Sequence, residues 1–129
     1  MTQNPPGVVA VVDDDHAVLD SLKFLLEVVG YRVATYASAQ DFLDHQGQEG
    51  PVCLILDHHM PSMTGLDLAQ KLREGHVDLP ILLITGSPSP AIVARAAQLG
   101  VERVLEKPPG EDDLLQFVNA YLERDTPAP

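Results

Sequence analysis

The chain has 129 residues, 45% of them apolar and 21% charged, the composition of one globular domain large enough to bury its own core. Eight Lys and Arg against 19 Asp and Glu leave a net charge of −11, which argues against direct binding to nucleic acid or insertion at an anionic membrane. No apolar run reaches bilayer length, no signal-peptide pattern opens the chain, and a single cysteine, Cys53, excludes an intrachain disulfide; together these point to the cytoplasm.

The Pro-rich ends, Met1 to Gly7 and Asp125 to Pro129, are expected to fray. Between them five apolar runs alternate with five helical segments. Val8 to Val12 opens the series. Val18, Leu22, Leu25 and Val29 then repeat at helical spacing until Gly30 stops the helix. Arg32 to Thr35 is a mixed run, followed by a short helix with Phe42 and Leu43 on its apolar face. Val52 to Leu56 holds Cys53, read as a buried, inert thiol. Leu68 and Leu72 mark the third helix, and Ile81 to Ile84 is the fourth run. Ser89-Pro90 supplies an N-cap and a first-turn proline for a helix ending at Gly100. Glu102 to Leu105 is again mixed. Glu111, Asp112 and Asp113 place acid in the first turn of the last helix, whose apolar face is Leu114, Val118 and Tyr121 or Leu122. The first, third and fourth runs suit strands covered on both faces, whereas the second and fifth suit sheet edges.

This alternation predicts an α/β fold, a doubly wound parallel sheet with right-handed crossovers. Such sheets bind ligands beyond the carboxyl ends of their strands. The polar residues there are Asp13, Asp14 and Asp15 after the first strand, Asp57 after the third, Thr85 after the fourth, and Glu106 and Lys107 before Pro108 after the fifth. Singly, each has a structural explanation: Asp15 caps a helix, Asp57 precedes a turn, Thr85-Gly86 is turn chemistry. Jointly they form a set suited to phosphoryl transfer. Crowded carboxylates call for a hard cation such as Mg²⁺, Lys107 meets a phosphoryl oxygen, and Thr85 offers a hydroxyl.

Four stretches carry a resemblance: Val12-Asp13-Asp14-Asp15, Asp57-His58-His59-Met60-Pro61-Ser62-Met63-Thr64-Gly65, Ile84-Thr85-Gly86 and Glu106-Lys107-Pro108. In order and spacing they resemble receiver domains of two-component response regulators. Tyr36-Ala37-Ser38-Ala39 through Phe42-Leu43 is similar to the FixJ type. The resemblance implies a (βα)5 flavodoxin-like sheet in strand order 2-1-3-4-5 and one receiver domain over residues 1–129 with its core at about 8–122; only a few residues follow the last helix, so no output domain is expected. It implies Asp57 as phosphoacceptor, Thr85 and Lys107 as its partners, and Mg²⁺ held by Asp13, Asp14, Asp57 and the backbone carbonyl of His59. It further implies a cis bond before Pro108, a histidine kinase or histidine phosphotransfer protein as donor, a downstream protein of unknown identity, and a homodimer as an open option.

Three departures from the family pattern bear on output. Val104 stands where the family carries a switch aromatic, Pro109-Gly110 replaces a bulky apolar residue after Lys107-Pro108, and an output domain is expected to be missing. His59, two residues after Asp57, is read as a base or gate on an attacking water, with a soft-metal site made by His58, His59 and the acids as the alternative. Two other functions compete. One is an inert pseudo-receiver, opposed by the intact acids, threonine and lysine. The other is a metal-dependent phosphatase, opposed by His59 where such enzymes need a second acid. The chain is thus expected not to be an enzyme beyond its own phosphorylation and dephosphorylation.

Overall fold

The computed structural model describes residues 7–45 and 50–122. Its elements run β1 (Val9–Val12), α1 (His16–Val28), β2 (Val33–Tyr36), α2 (Ala39–Asp44), β3 (Cys53–Asp57), α3 (Gly65–Glu74), β4 (Ile81–Thr85), α4 (Pro90–Gln98), β5 (Arg103–Glu106) and α5 (Glu111–Leu122). The strands are all parallel, in the order β2-β1-β3-β4-β5. This is the expected flavodoxin-like winding, with the mixed strands β2 and β5 at the edges. The expectations for residues 1–6 and 125–129, and for the Leu122 side chain, lie outside the described residues.

Alternation along the strands divides the core in two. Ala10, Val12, Leu54, Leu56, Ile81 and Leu83 pack with Phe42 of α2, Leu68 and Leu72 of α3 and Ala96 of α4. Val9, Val11, Cys53, Ile55, Leu82 and Ile84 pack with Leu19, Leu22 and Leu26 of α1 and Leu114, Phe117 and Val118 of α5. Because successive strand residues face opposite sides, a strand covered by helices on both sides must be apolar throughout. All residues of β1, β3 and β4 are indeed buried.

Two helix faces differ from expectation. In α1 the buried residues are Leu19, Leu22 and Leu26, while Val29 caps the helix and is 48% exposed. The heptad-like spacing from Val18 to Val29 lies at the border of the buried stripe, which a run with eight apolar residues does not fix in phase. In α5, Phe117 joins Leu114 and Val118 in the core. The cap assignments hold. Asp15 accepts from the amides of Ala17 and Val18, Ser89 accepts from Ile92 with Pro90 in the first turn, and Gly100 follows α4 at φ 71°. Among the described residues no helix is long and apolar enough to cross a membrane.

Candidate functional site

Parallel registration brings the carboxyl ends of β1, β3, β4 and β5 to one edge of the sheet. Val12 stands beside Leu56, Asp57 beside Ile84, and Thr85 beside Glu106. The residues that follow or end these strands are therefore assembled by topology alone. Asp13, Asp14 and Asp57 each offer a carboxylate oxygen, and the three lie within 4.8 Å of one another. Asp13 and Asp57 are buried, whereas Asp14 is exposed.

Lys107 reaches this cluster from the end of β5, after a backbone bond from its amide to the Thr85 carbonyl (2.9 Å). Its Nζ lies 2.8 Å from Asp57 Oδ1 and 3.5 Å from Asp13 Oδ2. Burial alone would lower the Lys107 pKa, but the pull of Asp57 and Asp13 outweighs it and holds the ammonium above its ordinary value. Asp13 is pushed up, first by burial and then by the Asp57 charge, against the opposing effect of the Asp15 amide, which it accepts at 2.9 Å. The peptide bond between Lys107 and Pro108 is cis, as the resemblance implies.

Asp57 is 2% exposed, and neither of its carboxylate oxygens has a hydrogen-bond partner. The Lys107 ammonium pairs with Oδ1 at 2.8 Å, and among the described residues no amide or hydroxyl donates to either oxygen. A buried carboxylate with free acceptor positions is costly unless something else fills them. An all-oxygen donor set with such orphaned positions fits a hard divalent cation, and it fits an incoming phosphoryl group beside a lysine.

The loop after β3 is fixed by short bonds. The His58 amide donates to Ile84 across the sheet, and the His58 carbonyl accepts from Met60 and Gly65. The rings of His58 and His59 meet edge to face with centroids 5.0 Å apart. Burial, followed by the neighbouring His59 imidazole, lowers the His58 pKa. Among the described residues the only group of three or more metal-ligating side chains is the acidic trio, and neither His58 nor His59 belongs to it. His59 instead has its Nε2 2.8 Å from Thr85 Oγ1. The Ser87 amide donates to the same hydroxyl oxygen at 3.2 Å.

Two features of this region were not read from the sequence. One is the His59–Thr85 contact, which joins residues on different strand ends. The other is an apolar cleft of about 710 Å³ beside the site, lined by Val18, Leu25 and Val28 of α1 together with Lys107, Pro108 and Pro109. Phe24 on its rim is 71% exposed. The surplus of apolar residues in α1, more than one face needs, is the sequence signal for that surface. Val104 is half-buried and packs against the core shared with α2, α3 and α4.

Comparison with known proteins accords with this geometry. Residues 9–119 match the response regulator receiver domain. The response regulator protein TmoT of Ectopseudomonas mendocina is 40% identical over 117 residues, covering 91% of this chain and 53% of TmoT. The transcriptional regulatory protein FixJ of Bradyrhizobium diazoefficiens is 34% identical over 122 residues, covering 95% of this chain and 60% of FixJ. This chain therefore spans a little over half the length of these curated relatives. A CheY-like receiver domain protein from Methanospirillum hungatei JF-1 superposes with a TM-score of 0.84 at 28% identity, over 92% of this chain and 95% of that one. The chain belongs to the receiver-domain family of two-component response regulators.

Proposed function

We propose that Asp57 accepts a phosphoryl group from a histidine kinase or a histidine phosphotransfer protein, and that the modified receiver signals by changing which proteins it binds. The observation that carries this reading is the Asp57 carboxylate, buried with both oxygens free of hydrogen bonds and an ammonium at 2.8 Å. A carboxylate oxygen attacks phosphorus, the bond from phosphorus to the donor nitrogen breaks, and an acyl phosphate forms. Lys107 then pairs with a phosphoryl oxygen, and the Thr85 hydroxyl donates to another. Mg²⁺ would be held by Asp13, Asp14, Asp57 and the carbonyl of His59, and when bound it neutralises charge on the transferred group.

The surroundings support a protein as donor. An apolar surface around Phe24, Val28 and Pro109 adjoins the site, and contiguous exposed apolar residues mark places where proteins meet. A metal-dependent phosphatase is disfavoured because the position two after Asp57 is His59, whose imidazole is held at Thr85. A pseudo-receiver is disfavoured because acids, threonine and lysine are all present and assembled. The parts of TmoT and FixJ beyond the match have no counterpart in these 129 residues. The proposed signalling is that of the receiver domain, through phosphorylation-dependent protein binding.

The test is intact mass after incubation with Mg²⁺ and acetyl phosphate, with Asp57→Asn alongside. One phosphoryl adduct is expected, absent from the variant and absent without Mg²⁺. An adduct that persists in Asp57→Asn overturns the acceptor assignment. Where acetyl phosphate gives no adduct, the same assay with phosphorylated histidine kinases decides, and failure with these as well leaves the pseudo-receiver.

A further inference from the structure

From the contact between His59 and Thr85 we infer that the His59 imidazole is a latch: it holds the single proton of the Thr85 hydroxyl and must release it before Thr85 can serve the phosphoryl group. The inference rests on the reading of Asp57 as phosphoacceptor. It concerns what opposes the change that phosphorylation brings.

Proton counting gives the direction of the bond. Thr85 is 0% exposed, so its hydroxyl has no water to turn to. A hydroxyl carries one proton and two acceptor positions. The Ser87 amide donates into one acceptor position at 3.2 Å. Neither Asp57 oxygen accepts a hydrogen bond, so the Thr85 proton is not directed there. His59 Nε2, at 2.8 Å, is the acceptor that remains among the described residues. The imidazole is then the neutral tautomer with its proton on Nδ1, and the Thr85 oxygen is drawn toward the loop after β3.

A phosphoryl group on Asp57 presents strong anionic acceptors to the same hydroxyl. One proton cannot satisfy both, so the phosphoryl group and His59 compete for it. In this chain the competition takes on added weight because Val104 occupies the position of the family's switch aromatic. Movement of Thr85 has no ring to turn there, and the bond it must break is the one to His59. His59 is thus a positioning residue, acting on the phosphorylated state through Thr85. Its backbone carbonyl, the proposed metal ligand, is unaffected when only the side chain is replaced.

Two measurements on the full chain test this. The first is a double-mutant cycle on affinity for beryllofluoride, a phosphoryl mimic, at saturating Mg²⁺. His59→Ala should bind it roughly three- to ten-fold more tightly than the unaltered chain, the range of one neutral hydrogen bond. In a Thr85→Ala background the same substitution should have no effect. An unchanged or weakened affinity in His59→Ala overturns the latch. So does an equal gain in both backgrounds, which would make His59 a steric gate instead. The second measurement is the His59 tautomer in the unmodified protein, read from long-range ¹H–¹⁵N correlations. Unprotonated Nε2 is expected, and a proton on Nε2 overturns the latch whether or not beryllofluoride binds. Absence of beryllofluoride binding in the unaltered chain counts against the phosphoacceptor reading, and the tautomer then judges the latch separately.

Discussion

Gly65, the first residue of α3, lies against the backbone of Asp57 and His58. A Cβ there would meet the Asp57 carbonyl oxygen, come within 2.9 Å of Leu83 Cδ1 and 3.0 Å of the His58 Cα. Two of these neighbours are backbone atoms, at the last residue of β3 and the first residue after it, which cannot rotate away. Gly65→Ala is expected to cost about 1–3 kcal/mol, the usual range for overpacking a close contact, and to displace Asp57 enough to slow phosphorylation. Urea denaturation and the rate of adduct formation would show both, and an unchanged stability would mean that the helix start moves freely. At this scale the sequence was informative where a residue type is dictated by chemistry. The acids, Thr85 and Lys107 stood at strand ends because alternation placed them there. The His59–Thr85 bond was not legible, because it depends on side-chain torsions of residues 26 apart rather than on any spacing.

Helix ends were more legible than helix faces. Asp15 and Ser89, both read as caps, accept from amides two or three residues on, by a rule that needs only local sequence; Ser38 and Thr64 cap α2 and α3 in the same way without having been read as caps. The burial stripe of α1 was misplaced because that helix carries apolar residues on its cleft side as well, around Phe24 and Val28, and periodicity cannot separate two apolar faces. Asp67 of α3 joins both kinds of information. It completes a capping box with Thr64 and, across to α4, meets Arg95 Nη2 at 3.1 Å. The Thr64 amide, followed by Arg95, holds its carboxyl below the ordinary 3.8. Asp67→Ala is expected to lose about 1 kcal/mol at pH 7, most of it from the cap, since a half-exposed ion pair contributes little. A lowered folded-state pKa stabilises above 3.8 and is lost as pH falls through the folded value. The gap between the unaltered chain and the variant should therefore narrow on acidification below pH 3.8, as followed by urea midpoints. A gap that stays constant down to pH 2 would exclude the carboxylate charge as its source.

For the whole molecule, the winding of the sheet and the site form a single consequence. Order β2-β1-β3-β4-β5 makes β1 and β3 neighbours, so Asp13 and Asp57 must meet, and two acids that repel are buried side by side at the carboxyl edge of the sheet. The net charge of −11 adds a diffuse repulsion over the rest of the surface. These two effects respond differently to cations. Diffuse repulsion is screened by any salt, whereas the acidic trio is relieved by an ion that binds in it. Mg²⁺ is therefore expected to raise the thermal midpoint beyond NaCl of matched ionic strength. At a hundredfold excess over its Kd the added stability is about 2.7 kcal/mol, roughly 10 °C for a domain of this size. Asp14→Ala, which removes an exposed carboxylate without opening the core, should retain the NaCl response and lose the extra Mg²⁺ response. Equal shifts with both salts in the unaltered chain would mean that charge screening, not a bound cation, quiets the acids at Asp13, Asp14 and Asp57.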